Sequence, residues 1–168
     1  MNYGFFQTPL GIVLVAATEN GLCSLRIGTA DSAEQKLAEL RQDHPGAAMM
    51  EETAAVQRYA DPLMAYLEGR EKNFAPHLEF LSGTAWQRMV WAELQRIPPG
   101  QTLSYTEVAA RVGRPAAVRA VGSACAANEI AIAVPCHRVR RQDGSLAGYR
   151  WGLDWKQRLL DLETGQHP

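Results

Sequence analysis

Pro135-Cys136-His137-Arg138-Val139 follows the apolar run Ile130-Ala131-Ile132-Ala133-Val134 and precedes the charged turn Arg140-Arg141-Gln142-Asp143-Gly144. A cysteine at the end of a buried extended segment, flanked by histidine and arginines, stands in the electropositive setting that lowers a thiol pKa. Free cysteine is only a few per cent thiolate at neutral pH, so an adjacent base is what makes it a useful nucleophile. Neighbours in an extended chain point to opposite sides, and His137 therefore reaches Cys136 only through a turn or a bridging water. Taken alone, Cys136 reads more readily as a buried structural thiol than as a nucleophile, and His137 reads as a satisfied or surface histidine as readily as a catalytic one.

The elements that must position this segment are legible from spacing. Residues 3–7, 12–17 and 22–27 read as strands, the last two joined through Glu19-Asn20-Gly21, where Asn-Gly between apolar runs signals a hairpin. Ser32 with Gln35 has the capping-box pattern and opens a helix that breaks at His44-Pro45-Gly46. A second helix spans about residues 52–67 with Val56, Tyr59, Leu63 and Leu67 on one face, and a short extended segment runs over 78–81.

After Gly83 the pattern turns to short helices. Thr84 with Gln87 and Ser104 with Glu107 are further capping boxes, and Pro98-Pro99-Gly100 closes the helix that the first opens. The helix opened by Ser104 stops at Gly113, and Pro115 suits the first turn of a helix running to about Ala127. Two short helices across a glycine-containing turn read as a helix-turn-helix. The second holds almost only small residues around one cation, Arg119, so it can approach another surface closely. A last amphipathic helix carries Trp155, Leu159, Leu160 and Leu162.

With 168 residues, 46% hydrophobic and 21% charged, the chain has the balance of a globular protein of one domain or two small ones. Three cysteines without CxxC spacing point to a reduced cytoplasm rather than an oxidising compartment, and no apolar run has the 18 or so residues of a membrane span. The net charge of −1 conceals an asymmetry. Residues 1–83 carry 6 basic and 11 acidic groups, residues 84–168 carry 11 basic and 7 acidic, and between Arg111 and Arg141 six arginines face the single acid Glu129. That points to an anionic partner for the second part, nucleic acid first.

Residues 83–163, through GTAWQRMVWAELQRIPPGQTLSY, RAVGSACAAN, VPCHRV and GSLAGYRWG, resemble the O6-alkylguanine-DNA alkyltransferases, the methylated-DNA–protein-cysteine S-methyltransferases. The GYRWG form is most like the methyltransferase half of the Ada-type members. The resemblance implies an α/β fold: a small sheet-and-helix domain, ribonuclease-H-like, over 1–82, then a mainly helical DNA-binding methyltransferase domain over 83–168. It implies DNA repair by direct reversal, in which the methyl group of O6-methylguanine, with O4-methylthymine as a further substrate, passes irreversibly to Cys136 after the nucleotide is flipped out of the duplex.

The resemblance also distributes roles. His137, oriented by Glu163, activates Cys136 through water; Tyr105 protonates the leaving purine; Asn128 is the hinge between the helix-turn-helix and the active segment. Arg119 fills the gap left by the flipped base, while Tyr105, Ala120, Gly122, Ser123 and Ala126 face the minor groove of alkylated double-stranded DNA. Val139, Tyr149, Arg150 and Trp151 form the substrate pocket, with Trp151, where many relatives have glycine, narrowing it. Arg140 stands where the family usually has an apolar residue. No cofactor or membrane is called for, no partner protein is needed, and a monomer is expected; Cys23, His44 and His77 make no convincing set of four metal ligands. The alternatives are a non-catalytic module or regulator that recognises alkylated DNA, and a cysteine hydrolase built on Cys136 and His137, which no separate triad pattern supports.

Overall fold

The computed structural model describes residues 1–166 and divides the chain into two units. The first takes Met1–Leu81 together with Glu129–Ala131, and the second takes Ser82–Asn128 and the residues from Ile132 on.

In the first unit, β1 (Asn2–Thr8), β2 (Gly11–Ala17) and β3 (Leu22–Gly28) form an antiparallel meander. The short β4 (Met50–Glu51) adds in parallel beside β1, giving the order β3-β2-β1-β4. At the Asn-Gly hairpin the Thr18 amide donates to the Gly21 carbonyl at 3.0 Å. Helices α1 (Ala33–Asp43) and α2 (Thr53–Leu67) pack on the sheet, with Val56, Tyr59, Leu63 and Leu67 buried as their spacing requires. Gly4 permits that packing, since a Cβ there would lie 3.1 Å from both Thr53 Cα and Val56 Cγ2.

Two expectations for this unit need correction. Ser32 makes no cap: a tight turn, closed by its amide to the Thr29 carbonyl at 3.0 Å, leaves it at φ −96°, ψ 11° with its hydroxyl donating to that same carbonyl. Residues 78–81 form no strand: Leu78 makes one isolated bridge to Leu22, and the Glu79 carboxylate accepts from Thr18 Oγ1 and, at 2.9 Å, from Asn20 Nδ2 in the hairpin. Cys23 donates to the Ala16 carbonyl at 3.4 Å, and His44 Nε2 is 2.7 Å from Glu129 Oε2. Glu129 Oε2 also lies 3.6 Å from the buried Arg26, whose Nη2 pairs with Asp43 at 2.9 Å.

The second unit is mainly helical: α3 (Ala85–Leu94), α4 (Tyr105–Arg111), α5 (Val118–Ala126) and α6 (Leu153–Thr164), with two-residue strands β5 (Leu103–Ser104) and β6 (Val139–Arg140) pairing in parallel. Both capping boxes are formed as spaced. Thr84 Oγ1 accepts from the Gln87 amide at 3.2 Å and Gln87 Oε1 from the Thr84 amide at 2.8 Å, while Ser104 and Glu107 do the same at 3.0 and 2.7 Å.

Helices α4 and α5 make the helix-turn-helix, with Gly113 at φ +77° in the turn, where only glycine bends without strain. α5 starts at Val118, later than Pro115 suggested, because the Ala117 amide closes a turn onto Arg114 at 2.9 Å first. Two tryptophans of α3 hold this helix by its backbone: Trp86 Nε1 donates to the Ala120 carbonyl at 3.2 Å and Trp91 Nε1 to the Ala124 carbonyl at 2.8 Å.

Candidate active site

Residues 130–134 are not an extended segment. Ile130 forms one isolated bridge, the chain then turns with Ile132 at φ +68°, and Cys136–Arg138 is a single 3-10 turn, closed by the Arg138 amide to the Pro135 carbonyl at 3.0 Å. The apolar run is buried because it coils into a core, not because it pairs in a sheet.

In that turn Cys136 is nearly inaccessible, 4% exposed. Its Sγ donates to the Cys125 carbonyl at 3.6 Å and accepts from Asn128 Nδ2 at 3.3 Å; the same amide group donates to the Val134 carbonyl at 3.0 Å. Asn128, buried just past the end of α5, thereby ties that helix to the active turn. The expected lowering of the thiol pKa does not hold in this resting state. Burial pushes it well above its ordinary value, the hydrogen bond and charge of Cys125 add to that, and Asn128 and Lys156 offset only part. Of the flanking cations, Arg138 is turned away from the sulfur: Nε and Nη2 clasp Glu163 at 3.0 and 2.6 Å, and Nη1 donates to the Ile97 carbonyl at 2.6 Å.

His137 Nε2 lies 2.8 Å from Glu163 Oε1, and both side chains are fully buried. Burial lowers the histidine pKa more than Glu163 restores it, so the imidazole is neutral. Burial raises the Glu163 pKa, but hydrogen bonds from His137 and Arg138 and their charges overcome it and hold the carboxyl at about 2. An ionised carboxylate takes Nε2 as donor, which leaves the proton off Nδ1. Nδ1 is buried with no hydrogen-bond partner among the described residues, which leaves its lone pair unengaged.

The depressed Glu163 carboxyl makes a checkable statement. A carboxyl at about 2 in the fold against 4.5 ordinarily contributes stability that is present above pH 4.5 and lost as pH falls towards 2. The loss is about 3 kcal/mol at 1.36 kcal/mol per pKa unit. Urea midpoints measured across that range should fall, and should fall less in a Glu163→Gln variant.

Cys136 faces a cavity of about 520 Å³ whose other walls include Tyr105, Arg119, Gly122, Ala126, Tyr149 and Arg150. The Tyr105 phenol is pushed up to about 12, chiefly by burial and then by the two cysteines, and stays protonated. Arg119, Ala120, Ser123 and Ala126 are exposed along α5 and Gly122 is half-buried, a Cβ there meeting nothing within 4 Å, while Val121, Ala124 and Cys125 pack inward. Ala120 and Ser123 do not line the cavity.

Two expected pocket residues put no side chain on the cavity. Val139 is buried in β6 with its amide donated to the Cys136 carbonyl, so its side chain does not reach the cavity. Trp151 is also outside it: the indole packs edge-on behind the Tyr149 ring, centroids 5.3 Å apart, with Arg150 over its face at 5.8 Å. Arg140 is half-buried and gives Nη1 to the Gly144 carbonyl at 3.4 Å.

Four residues of the site were not foreseen in a role. Arg138 locks Glu163, Arg141 and Cys125 line the cavity, and Lys156 is 1% exposed with Nζ 6.0 Å from the Tyr149 ring centre. The only advance signal was for Lys156, one residue after Trp155 on the apolar side of α6.

Comparison with known proteins places this geometry. The family model described as 6-O-methylguanine DNA methyltransferase, DNA binding domain, matches residues 85–165, and that described as its ribonuclease-like domain matches residues 1–80. The chain is 44% identical over 150 residues to the inducible methylated-DNA–protein-cysteine methyltransferase of Bacillus subtilis, covering 89% of this chain and 82% of that protein. It is 42% identical over 164 residues to the bifunctional transcriptional activator/DNA repair enzyme Ada of Escherichia coli, covering 98% of this chain but only 46% of Ada, so it spans about half the length of that relative. Among solved structures, Mycobacterium tuberculosis OGT in complex with DNA superimposes with a TM-score of 0.85 at 36% identity, covering 100% of this chain and 96% of the other. By sequence over nearly its whole length and by fold, the chain belongs to the O6-methylguanine DNA methyltransferase family, the methylated-DNA–protein-cysteine methyltransferases.

Proposed function

We propose that the chain repairs alkylated DNA by moving the methyl group of O6-methylguanine to its own Cys136, one group per molecule. The observation that carries this is the thiol's position: Cys136 lines a cavity with Tyr105 and with Arg119 on the exposed face of α5, and the residue next to it in the chain, His137, is paired with the Glu163 carboxylate. O4-methylthymine is the second substrate on this reading.

The steps balance without a cofactor. His137 Nδ1, through a bridging water, takes the thiol proton as the sulfur attacks the methyl carbon in line with the C–O6 bond. The bond electrons leave on the purine, which takes the phenolic proton of Tyr105, and the phenolate is reprotonated from solvent. Asn128 holds the sulfur at the cavity floor, and Glu163 fixes the tautomer of His137. A thioether has no route back to a thiol here, so each molecule reacts once.

Reaching O6 requires the nucleotide to leave the stack, at a cost of a few kcal/mol. On this reading α5 enters the minor groove with its small exposed residues against the sugars, Arg119 fills the vacated space, and Tyr149 and main-chain groups of Val139 and Arg150 receive the base. Residues 83–168 carry the reaction and residues 1–82 support them. The protein acts as a monomer, in the reducing cytoplasm that its three free thiols suit.

Protein held limiting against excess duplex bearing O6-methylguanine tests the proposal. Repair should stop at one lesion per protein; continued turnover would contradict it, and lesion-dependent binding without repair would make the chain a recognition module. Duplex affinity should also fall with salt, log K against log salt having a slope of about −0.9 per phosphate contacted. Arg141→Ala, removing a cation at the cavity mouth, should flatten that slope by about one contact; an unchanged slope in a salt titration would place Arg141 away from the backbone.

A further inference from the structure

The second unit holds two cysteines, both free, and both line the same cavity. Cys125 is the penultimate residue of α5 and Cys136 opens the 3-10 turn. The Cys136 thiol donates to the Cys125 main-chain oxygen at 3.6 Å, and the Cys125 side chain lines the cavity beside it. The third cysteine, Cys23, belongs to the first unit and is bonded to Ala16. The methyl-transfer reading gives the Cys125 sulfur no task.

We propose that Cys125 is a resolving cysteine: hydrogen peroxide entering the cavity oxidises the acceptor thiol, and Cys125 closes a reversible disulfide with Cys136. In the first step the Cys136 sulfur attacks one peroxide oxygen, the O–O bond breaks, and the thiol becomes a sulfenic acid with release of water. In the second, the Cys125 sulfur attacks the Cys136 sulfur, the S–O bond breaks, and the hydroxyl leaves as a second water with the Cys125 proton. The two thiols together lose two electrons and two protons, and the peroxide is reduced to two waters. With the Cys136 sulfur 3.6 Å from the Cys125 main-chain oxygen, rotation about the two Cα–Cβ bonds and a short approach bring the sulfurs to the disulfide length of about 2.0 Å without separating the elements that carry them.

The consequence rests on the proposed methyl transfer. A disulfide hides the acceptor sulfur but can be reduced, whereas a sulfinic or sulfonic acid at Cys136 cannot accept a methyl group again. A suicide acceptor survives peroxide only if its single sulfur is shielded from the later oxidation steps. Burial keeps the resting thiol protonated, so the first step should be slow at neutral pH and quicken as pH rises.

The test uses the full chain treated with hydrogen peroxide and quenched with catalase. Non-reducing peptide mapping should show Cys125 linked to Cys136, and intact mass should fall by two hydrogen atoms. Methyl acceptance should be lost and then restored by dithiothreitol. Cys125→Ala, compared with its own untreated sample, should lose acceptance that dithiothreitol does not restore, with two or three oxygens added at Cys136; Cys23→Ala should behave as wild type. Protein methylated beforehand should form no disulfide. Absence of the linked peptide, or equal recovery in Cys125→Ala and wild type, would overturn the proposal. Because the linked peptide is read by mass, it forms or fails to form whether or not the protein transfers methyl groups.

Discussion

Arg119→Ala is expected to slow repair of O6-methylguanine in duplex DNA by about a hundredfold while leaving reaction with the free O6-methylguanine base unchanged. Arg119 lies on the exposed face of α5 and borders the cavity, and Ser123 Oγ bonds its main-chain oxygen at 3.2 Å, so the backbone keeps its place when the side chain is cut back. On the proposed reading, the truncation removes the group that occupies the stack in place of the flipped base. A flipping cost of about 3 kcal/mol that is no longer offset corresponds to about two powers of ten in rate. The free base pays no such cost and should react as before. Exposed substitutions of this kind change stability by about 0.5 kcal/mol or less, so thermal unfolding should be unaltered. Equal losses on duplex and free base would mean that Arg119 serves the chemistry or the fold rather than the extrusion.

The second large effect is expected at Glu163. Its carboxylate is the shared partner of His137 and Arg138, at 2.8 and 2.6 Å, and all three are buried. Glu163→Gln leaves the Arg138 guanidinium in the interior without its counter-charge, which costs about 3–5 kcal/mol. At about 2–4 °C per kcal/mol for a chain of this size, the unfolding temperature should drop by about 10 °C. Glutamine still offers an oxygen to His137 Nε2, so orientation is retained but the negative charge that favours a proton on Nδ1 is gone. The transfer rate should therefore fall together with its pH dependence, measured on protein kept well below its new midpoint. Pairing Glu163→Gln with Arg138→Met separates the two contributions. Stability should return while the rate does not; if both return, Glu163 holds the fold and has no part in activating the thiol.

How much of this was legible depends on how local each determinant is. The capping boxes at Thr84 and Ser104 close within three residues of chain and were readable from residue types alone. The same spacing at Ser32 gave nothing, because a turn onto Thr29 had already fixed the backbone in a conformation from which the hydroxyl cannot reach forward. Ile130-Ala131-Ile132-Ala133-Val134 shows the limit of an apolar run as a signal: the run demands burial, but only tertiary context decides between a strand and a coil, and Ile132 takes a positive φ that no pattern announces.

The site divides in the same way. Asn128 with Cys136, and His137 with Glu163, are brought into hydrogen-bonding distance, since the elements that carry them are short and tightly joined. The resemblance assigned Trp151 to the pocket, but its indole packs edge-on against Tyr149 and does not line the cavity. The thiol pKa was misread for a related reason. Nearby arginines in sequence suggested a positive field, whereas Arg138 is spent on Glu163 and burial dominates. A charged residue on a helix reads as solvated, and so Lys156 passed unnoticed as a buried cation beside the cavity.

The most direct test of the account is peptide mass spectrometry after mixing the protein with a duplex bearing one O6-methylguanine, beside an unmodified duplex and a Cys136→Ser variant. The account predicts one methyl group on the peptide containing Cys136, reaching one equivalent per protein and absent from both controls. A methyl group on any other residue, or none despite tight lesion-dependent binding, would contradict it.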